Sequence, residues 1–413
     1  MLFPPATINP PRNRVVVTGA GVITALGRGW KPNAEGFRSG RLAFRPVSLF
    51  DVSRQRVRQA AEVLDTDNIP ANHLSRRELS RLDRSARLLL IAADEAWASA
   101  GWNGEQEFPL VLGTTSGGMS MGEAYFRQAS QRPSAMKGQA TRVAQYQPQR
   151  QALQLQEALR FSGPITIIAN ACASGANAIG HAFSLIRDGH AERAFTGGYD
   201  ALSQLVFAGF DSLQALSPTQ CRPFDTRRDG LALGEGAAML TLERLETAQS
   251  RGARILGEIV GYSAATDHHH LTQPHPEGNA ALHTMRHACT AAGITPEQIG
   301  YVNAHGTGTP LNDSAEAVAI NRWAGDAVSR THVSSTKSSV GHLLGAAGSV
   351  EGVVCLMALS GQWLPPTVTI ESVDPICRFE IVRTPADAKI EYALSNSFGF
   401  GGSNATLIFR RFS

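Results

Sequence analysis

The stretch ITIIANACASGANAIGHAFSLIRDGHAERAFTGG, residues 165–198, limits the fold more than any other part of the sequence. A run of β-branched and small apolar residues ends at Asn170, and small residues follow. Helical apolar spacing then leads into a second apolar run. Such a succession reads as strand, turn, helix and strand. Units of this kind build a sheet with helices layered on it. The style recurs along the chain. FPLVLGTTSGG (108–118) is a strand running into a glycine loop, and IGYVNAHGTGTPLNDSAEAVAI (299–320) passes from strand through glycine loop to helix. VSSTKSSVGHLLGAAGSVEGVVCLMALSG (333–361) passes from a loop to a long helix of small residues. YALSNSFGFGGSNATLIF (392–409) reads as two strands around a glycine-rich turn. The expectation is an α/β fold of two similar halves sharing one core. A flexible extension covers 1–13, a first half 14–255 and a second half 256–413.

RVVVTGAGVITALG (14–27) reads as a buried strand, a glycine turn and the start of a helix. Gly19 and Gly21 fit the first two glycines of a dinucleotide fingerprint. Thr24 occupies the third position, and no acidic residue follows about 20 residues on in a matching strand. A tight strand-to-helix turn is the better reading. DRSARLLLIAADEAWASAG (83–101) has helical apolar spacing and stops at a glycine, as a helix should. The glutamine-rich segment 128–156 carries no clear pattern.

A net charge of +3 on 413 residues is too small and too scattered to point to nucleic acid. The five cysteines are odd in number, widely spaced and without a Cys-x-x-Cys pair, which argues against a disulfide framework or zinc site and for a reducing compartment. The opening MLFPPATINPPRNR lacks the layout of a signal peptide, and no apolar run is long enough to span a bilayer. A cytoplasmic location is expected, without membrane contact.

Cys172 stands where the strand of the first unit becomes a helix. There a thiol lies near unpaired backbone N–H groups and the positive end of the helix dipole, and both favour thiolate. Small neighbours leave room for a substrate to approach. A buried structural cysteine is the competing reading. His305, in NAHGTGTP, and His342, in SSVGHLLGAAG, sit at glycine-flanked junctions of the same kind. One histidine alone is more often structural. Together the three residues form the constellation of a cysteine–histidine enzyme.

At this point the sequence resembles the β-ketoacyl-acyl-carrier-protein synthases of the thiolase superfamily, in particular the elongating Cys-His-His type, ketoacyl-ACP synthase II. The blocks that carry the resemblance are VVVTGAGVITALG, ACASGANAIGHA, RPFDTRRDGLALGEGAAMLTLE, YVNAHGTGTP followed by NDSAEA, SSTKSSVGHLLGAAG and NSFGFGGSNATLIF. They cover most of residues 14–410. The resemblance implies a thiolase-like fold in which two βαβαβ-type halves form a layered α/β/α/β/α core. It implies acyl transfer from acyl carrier protein to Cys172, then decarboxylative Claisen condensation with malonyl carrier protein. His305 and His342 would support decarboxylation and stabilise the enolate. Lys337 and Glu351 would fix His342 and its hydrogen bonds. The N–H of Phe400 would pair with that of Cys172 as an oxyanion hole, and Phe398 and Phe400 would gate the acyl pocket. Thr307 and Thr309, and more weakly Thr272, would line the phosphopantetheine channel. No metal or redox cofactor is implied. The partners implied are acyl carrier protein and either a second copy or a ketosynthase-like chain-length factor.

The same resemblance places Asp267 and His270 of the DHHH run (267–270) at the channel mouth, where a metal cluster could otherwise be suspected; adjacent loop histidines rarely give ligand geometry. The basic set Arg76, Arg77, Arg81 and Arg84 reads by default as a solvated helix face. Arg77 and Arg81 fall where relatives dock the acidic carrier protein, although Ser80 breaks that pattern. Two stretches depart from the family. Only PTQC separates LQALS from RPFD, and RVAQYQPQRQALQLQEAL is more polar than in relatives. These differences suit a specialised, secondary-metabolism ketosynthase. Two other readings fit less well. A coenzyme A-dependent thiolase or chain-initiating enzyme would carry a cysteine or asparagine where His342 stands. A non-catalytic chain-length factor would lack the nucleophile.

Overall fold

The structure, a computed structural model, describes residues 12–70, 72–104, 106–131 and 140–412. Val15–Thr24 (β1) runs as one fully buried strand, so the glycines expected to make a turn lie inside it. A Cβ at Gly19 would sit 2.2 Å from the Ala96 carbonyl oxygen, and one at Gly21 2.0 Å from that of Ala92. Both carbonyls belong to Arg84–Ala100 (α1), so these glycines let helix backbone settle directly on strand backbone. The next helix begins only at Trp30. α1 itself starts where the Asp83 carboxylate accepts from the Ala86 N–H and ends at left-handed Gly101.

Four further strands complete the first half: Leu110–Gly113 (β2), Ile165–Ile168 (β3), Arg193–Asp200 (β4) and Gly236–Arg244 (β5). The second half contributes Gly257–Thr266 (β6), Ile299–Asn303 (β7), His332–Ser334 (β8), Tyr392–Phe398 (β9) and Ser403–Arg410 (β10). Their spatial order is β8-β7-β9-β10-β6-β1-β5-β4-β2-β3, with the short strand Glu380–Ile381 beyond β8. Each half therefore repeats one order, third, second, fourth, fifth, first. The halves join through three antiparallel residue pairs between β1 and β6. In each half the second, third and fourth strands are parallel, so their carboxyl ends lie on one side.

Five more helices bear on the site: Met119–Gln131 (α2), Ala140–Tyr146 (α3), Pro148–Leu159 (α4), Ser174–Arg187 (α5) and Gln204–Ser212 (α6). Asn279–Ala292 (α7), Pro310–Ala324 (α8) and Ala347–Gly361 (α9) follow. α5 and α9 pack against each other and against strands of both halves, while α1 covers β1 and β5, and α7 covers β6 and β10. This is the five-layer α/β/α/β/α arrangement. The stretch Leu344–Gly361 is long and apolar enough to cross a membrane, but it is 89% buried inside the molecule and serves as core.

Residues 1–11 of the expected extension lie outside the described residues. Asn13 is docked, its N–H and side chain donating to the Arg187 and Ile186 carbonyls at the end of α5. Part of the glutamine-rich segment, 132–139, also lies outside them. Within the rest, Gln151 is buried and donates to Asp83 and to the Gln145 carbonyl, which accounts for its polarity. Arg84 leaves the solvated face expected of it and pairs with buried Glu235.

Candidate active site

Cys172 lies between β3 and α5, in the short turn Ala171–Ala173. Ala171 adopts a left-handed φ of 57°, unusual for a residue with a Cβ. The Ser174 hydroxyl donates to the Ala171 carbonyl at 2.5 Å and accepts from the Asn170 N–H at 3.0 Å, which holds the strained turn. The sulfur is thereby presented to a cavity, with the N–H groups of Cys172 and Phe400 against it. Burial nevertheless pushes the thiol up to about 11, against the pull of Lys337 and the Phe400 N–H. The thiolate expected from the helix terminus is thus not the resting form; desolvation of the charged sulfur outweighs it.

His305 follows β7, and His342 lies between β8 and α9. Their rings meet edge to face, 5.4 Å between centroids. Burial holds both well below the ordinary histidine range, with Lys337 acting in the same direction, so both are neutral. Lys337 Nζ lies 3.4 Å from His305 Nδ1 and forms a buried ion pair with Glu351. This corrects the sequence expectation: the Lys337–Glu351 pair fixes His305, not His342. Lysine can only donate, so Nδ1 of His305 accepts and its proton resides on Nε2. The His342 backbone is pinned, its N–H to the Ala232 carbonyl at 2.7 Å and its carbonyl to the Gly234 N–H at 3.0 Å. Both of its ring nitrogens are buried, with no hydrogen-bond partner among the described residues.

Three carboxylates that the sequence reading passed over hold the loops. Glu316 accepts from the His305 N–H at 2.8 Å and the Gly306 N–H at 2.7 Å, and burial pushes it up to about 7. Asp313, one turn earlier on α8, accepts from the Thr307 and Gly308 N–H groups. Asp200 binds the loop after β2. The only signal for the first two was their spacing at the start of the helix after HGTGTP; Asp200 gave none.

The cavity is about 370 Å³ in volume. It brings together Cys172, His305, His342, Phe398, Phe400, Thr307, Thr309 and Thr272, with Asp267 and His270 among its lining residues. Phe398 is buried with its ring 5.6 Å from that of His305, whereas Phe400 is 38% exposed and stacks on Phe210 at 5.9 Å. The Thr307 and Thr309 hydroxyls are 2.9 Å apart, and Thr272 donates its N–H to His270. Arg77 and Arg81 are exposed and line no part of this cavity; they sit in and just after the short helix Arg76–Leu79. A thiol, two N–H donors and two neutral imidazoles around one cavity can hold an acyl group on sulfur and stabilise two successive oxyanions.

Residues 12–248 match the family described as Beta-ketoacyl synthase, N-terminal domain, and residues 256–371 match its C-terminal domain. The chain is 38% identical to a 3-oxoacyl-[acyl-carrier-protein] synthase 2 of Synechocystis sp., over 98% of this chain and 99% of that one. Among solved structures, the ishigamide ketosynthase/chain length factor superposes with a TM-score of 0.91 at 33% identity, covering 97% of this chain and all of that one. A type II polyketide ketosynthase, solved in complex with its acyl-carrier protein, superposes with a TM-score of 0.88 at 25% identity over the same shares.

Proposed function

Because the chain belongs to the β-ketoacyl synthase family, we propose that it condenses an acyl group with a malonyl-derived unit, both delivered as thioesters on acyl carrier protein. Cys172 loses its proton and attacks the acyl carbonyl. A carbon–sulfur bond forms, and the N–H groups of Cys172 and Phe400 receive the oxyanion. Collapse expels the carrier's thiolate, which takes up the proton. A malonyl thioester then enters and its carboxylate carbon–carbon bond breaks. CO2 leaves, and the electron pair becomes an enolate whose oxygen accepts from His305 Nε2–H and from His342. The enolate carbon attacks the acyl-Cys172 carbonyl, and the adduct expels the Cys172 thiolate, which is reprotonated. The product is a β-ketoacyl thioester two carbons longer. One proton is consumed and no electron is exchanged, so the balance calls for no redox cofactor.

The observation that carries this reading is His342: a neutral imidazole, backbone pinned, both ring nitrogens buried and unpartnered, beside Cys172 in one cavity. Neutral imidazoles donate without protonating the carbanion at once. Thr307 and Thr309 suit the amide-bearing phosphopantetheine arm, and Arg77 and Arg81 the acidic carrier. β3 is the outermost strand of its half, and its residues are half-exposed, Ile165, Ile167 and Ile168 among them. Such an edge is a template for another chain, and it supports a dimer with a second copy. The alternative partner is a chain-length-factor relative, as the ishigamide pair suggests. The polar segment 140–159 favours a specialised pathway over housekeeping fatty acid synthesis. Five free cysteines fit a cytoplasmic site of action.

Intact-protein mass spectrometry tests the reading. The protein is incubated with a panel of acyl-carrier-protein thioesters, with and without malonyl carrier protein, beside Cys172→Ala. An adduct absent from Cys172→Ala, and discharged to a product two carbons longer, is expected. An adduct that persists in Cys172→Ala, or one that malonyl carrier protein never discharges, would refute it.

A further inference from the structure

Asp200 ends β4 and is fully buried. Its carboxylate accepts five hydrogen bonds: from the Thr114 hydroxyl at 2.8 Å, the Thr115 N–H at 2.8 Å, the Ser116 N–H at 2.9 Å, the Ser116 hydroxyl at 2.8 Å and the Gly345 N–H at 2.7 Å. Among the described residues no cation pairs with it; burial raises its pKa, and the neutral donors pull it back toward the charged form. A buried carboxylate of this kind is costly, and a neutral polar residue would serve a purely structural joint at lower cost.

Its position explains the expense. The residues it ties together are the loop after β2 and the turn into α9, and both lie against the nucleophile's turn. The Thr115 hydroxyl donates to the Ala171 carbonyl at 3.3 Å. Gly345 approaches so closely that a Cβ there would lie 2.6 Å from the Thr115 nitrogen and 2.7 Å from the Asp200 carboxylate. No water fits between. Asp200 is thus one residue deep behind the strained Ala171–Cys172 turn.

We propose that Asp200 is the positioning residue of the acyl-transfer step, clamping the Thr114–Ser116 loop to the Gly345 turn beneath Cys172 and setting a fixed negative charge against the nucleophile. The charged and titratable groups that face Cys172 divide cleanly. Lys337 favours the thiolate and Asp200 opposes it. His305 and His342 are neutral, Glu351 is paired with Lys337, and Asp229, Asp267 and His270 lie in the cavity wall. Burial is the main cause that keeps the thiol protonated, and the Asp200 charge adds to it; the oxyanion hole lowers the cost of reaction once a thioester fills the cavity.

The inference rests on Cys172 being the nucleophile, and its first test needs no carrier substrate. Cys172 alkylation by iodoacetamide is followed by mass spectrometry of the Cys172 peptide across pH, with Cys172→Ala as blank. Asp200→Asn removes the charge and leaves the side chain's shape. The expected result is a midpoint shifted roughly one pH unit lower. At neutral pH alkylation rises about three- to tenfold, since thiolate fraction rises while intrinsic nucleophilicity falls. A midpoint that coincides with the parent's overturns the electrostatic role, whatever the effect on rate. Should Asp200→Asn not fold, Asp200→Glu decides, because it keeps the charge and displaces the clamp. Its midpoint should match the parent's while acylation of Cys172 slows; a moved midpoint or unchanged acylation would sink the proposal. Failure of any Cys172 adduct to form from thioesters, with normal alkylation, would instead count against the condensing reaction.

Discussion

Glu316→Gln should separate the two half-reactions. In the native site one carboxylate receives the N–H groups of His305 and Gly306, at 2.8 and 2.7 Å, and also the Asn396 amide at 3.2 Å. Glutamine retains one oxygen, so one N–H keeps its acceptor. The other then faces an NH2 group and is buried without a partner. Losing a hydrogen bond to a charged group costs about 1.5–3 kcal/mol. If that loss is expressed as displacement of the His305 ring, each 1.36 kcal/mol is a tenfold loss, and decarboxylation should fall by roughly 10- to 100-fold. Among the described residues no hydrogen bond links Glu316 to Cys172, its turn or Phe400, so acylation should stay within about twofold. The assay measures CO2 release from malonyl carrier protein beside acyl loading of Cys172 by intact mass. Equal losses in both half-reactions, or full decarboxylation activity, would refute the assignment of Glu316 to His305.

The same residue carries a pH signature. Burial raises Glu316 from the ordinary 4.5 to about 7, so between those values the native state holds a proton that the unfolded chain has lost. Its stabilising contribution is complete below about pH 4.5 and is lost as pH rises through 7, so urea denaturation across this window should show a flatter pH dependence in Glu316→Gln than in the parent. Arg77→Glu with Arg81→Glu should raise KM for carrier-borne thioesters several-fold at low salt and leave pantetheine thioesters untouched; equal effects on both would exclude docking. Gly21→Ala should destabilise by about 3 kcal/mol or more, because the new methyl meets helix backbone that cannot move aside. Gly101→Ala, strained only in φ, should cost about 1 kcal/mol, and thermal melts compare the two.

The three residues that the cavity brings together were legible because their signals are local. Cys172, His305 and His342 each mark a strand end flanked by glycine, and strand, glycine and helix patterns need no knowledge of the partner. The errors arose where the partner is distant. Gly19 and Gly21 look like a turn in isolation, yet the α1 carbonyls they admit lie more than 70 residues away. Lys337 was assigned to His342, five residues along; the chain breaks at Gly341, with φ of 72°, and carries the lysine to His305 instead. Asp200 and Glu316 bind backbone N–H groups, which every residue type but proline offers, so no sequence pattern announces them. The state of the Cys172 thiol was misjudged for a related reason: the helix terminus is visible in the sequence, but the depth of burial is not.

The repeated strand order has a consequence for how such a site comes to exist. Cys172 and His342 occupy the same connection, third strand to buried helix, in the two halves. Asp200 and Phe398 close the corresponding fourth strands. If the halves descend from one duplicated unit, the ancestor was an assembly of identical copies with identical strand ends facing each other. Fusion into one chain would have released the two copies to diverge, one keeping Cys172 and Asp200, the other His305, His342 and Phe398. Neither half alone holds both Cys172 and the two histidines that share its cavity. The chain is, in effect, a pseudo-dimer within one polypeptide, and its cavity draws different residues from two otherwise matching parts.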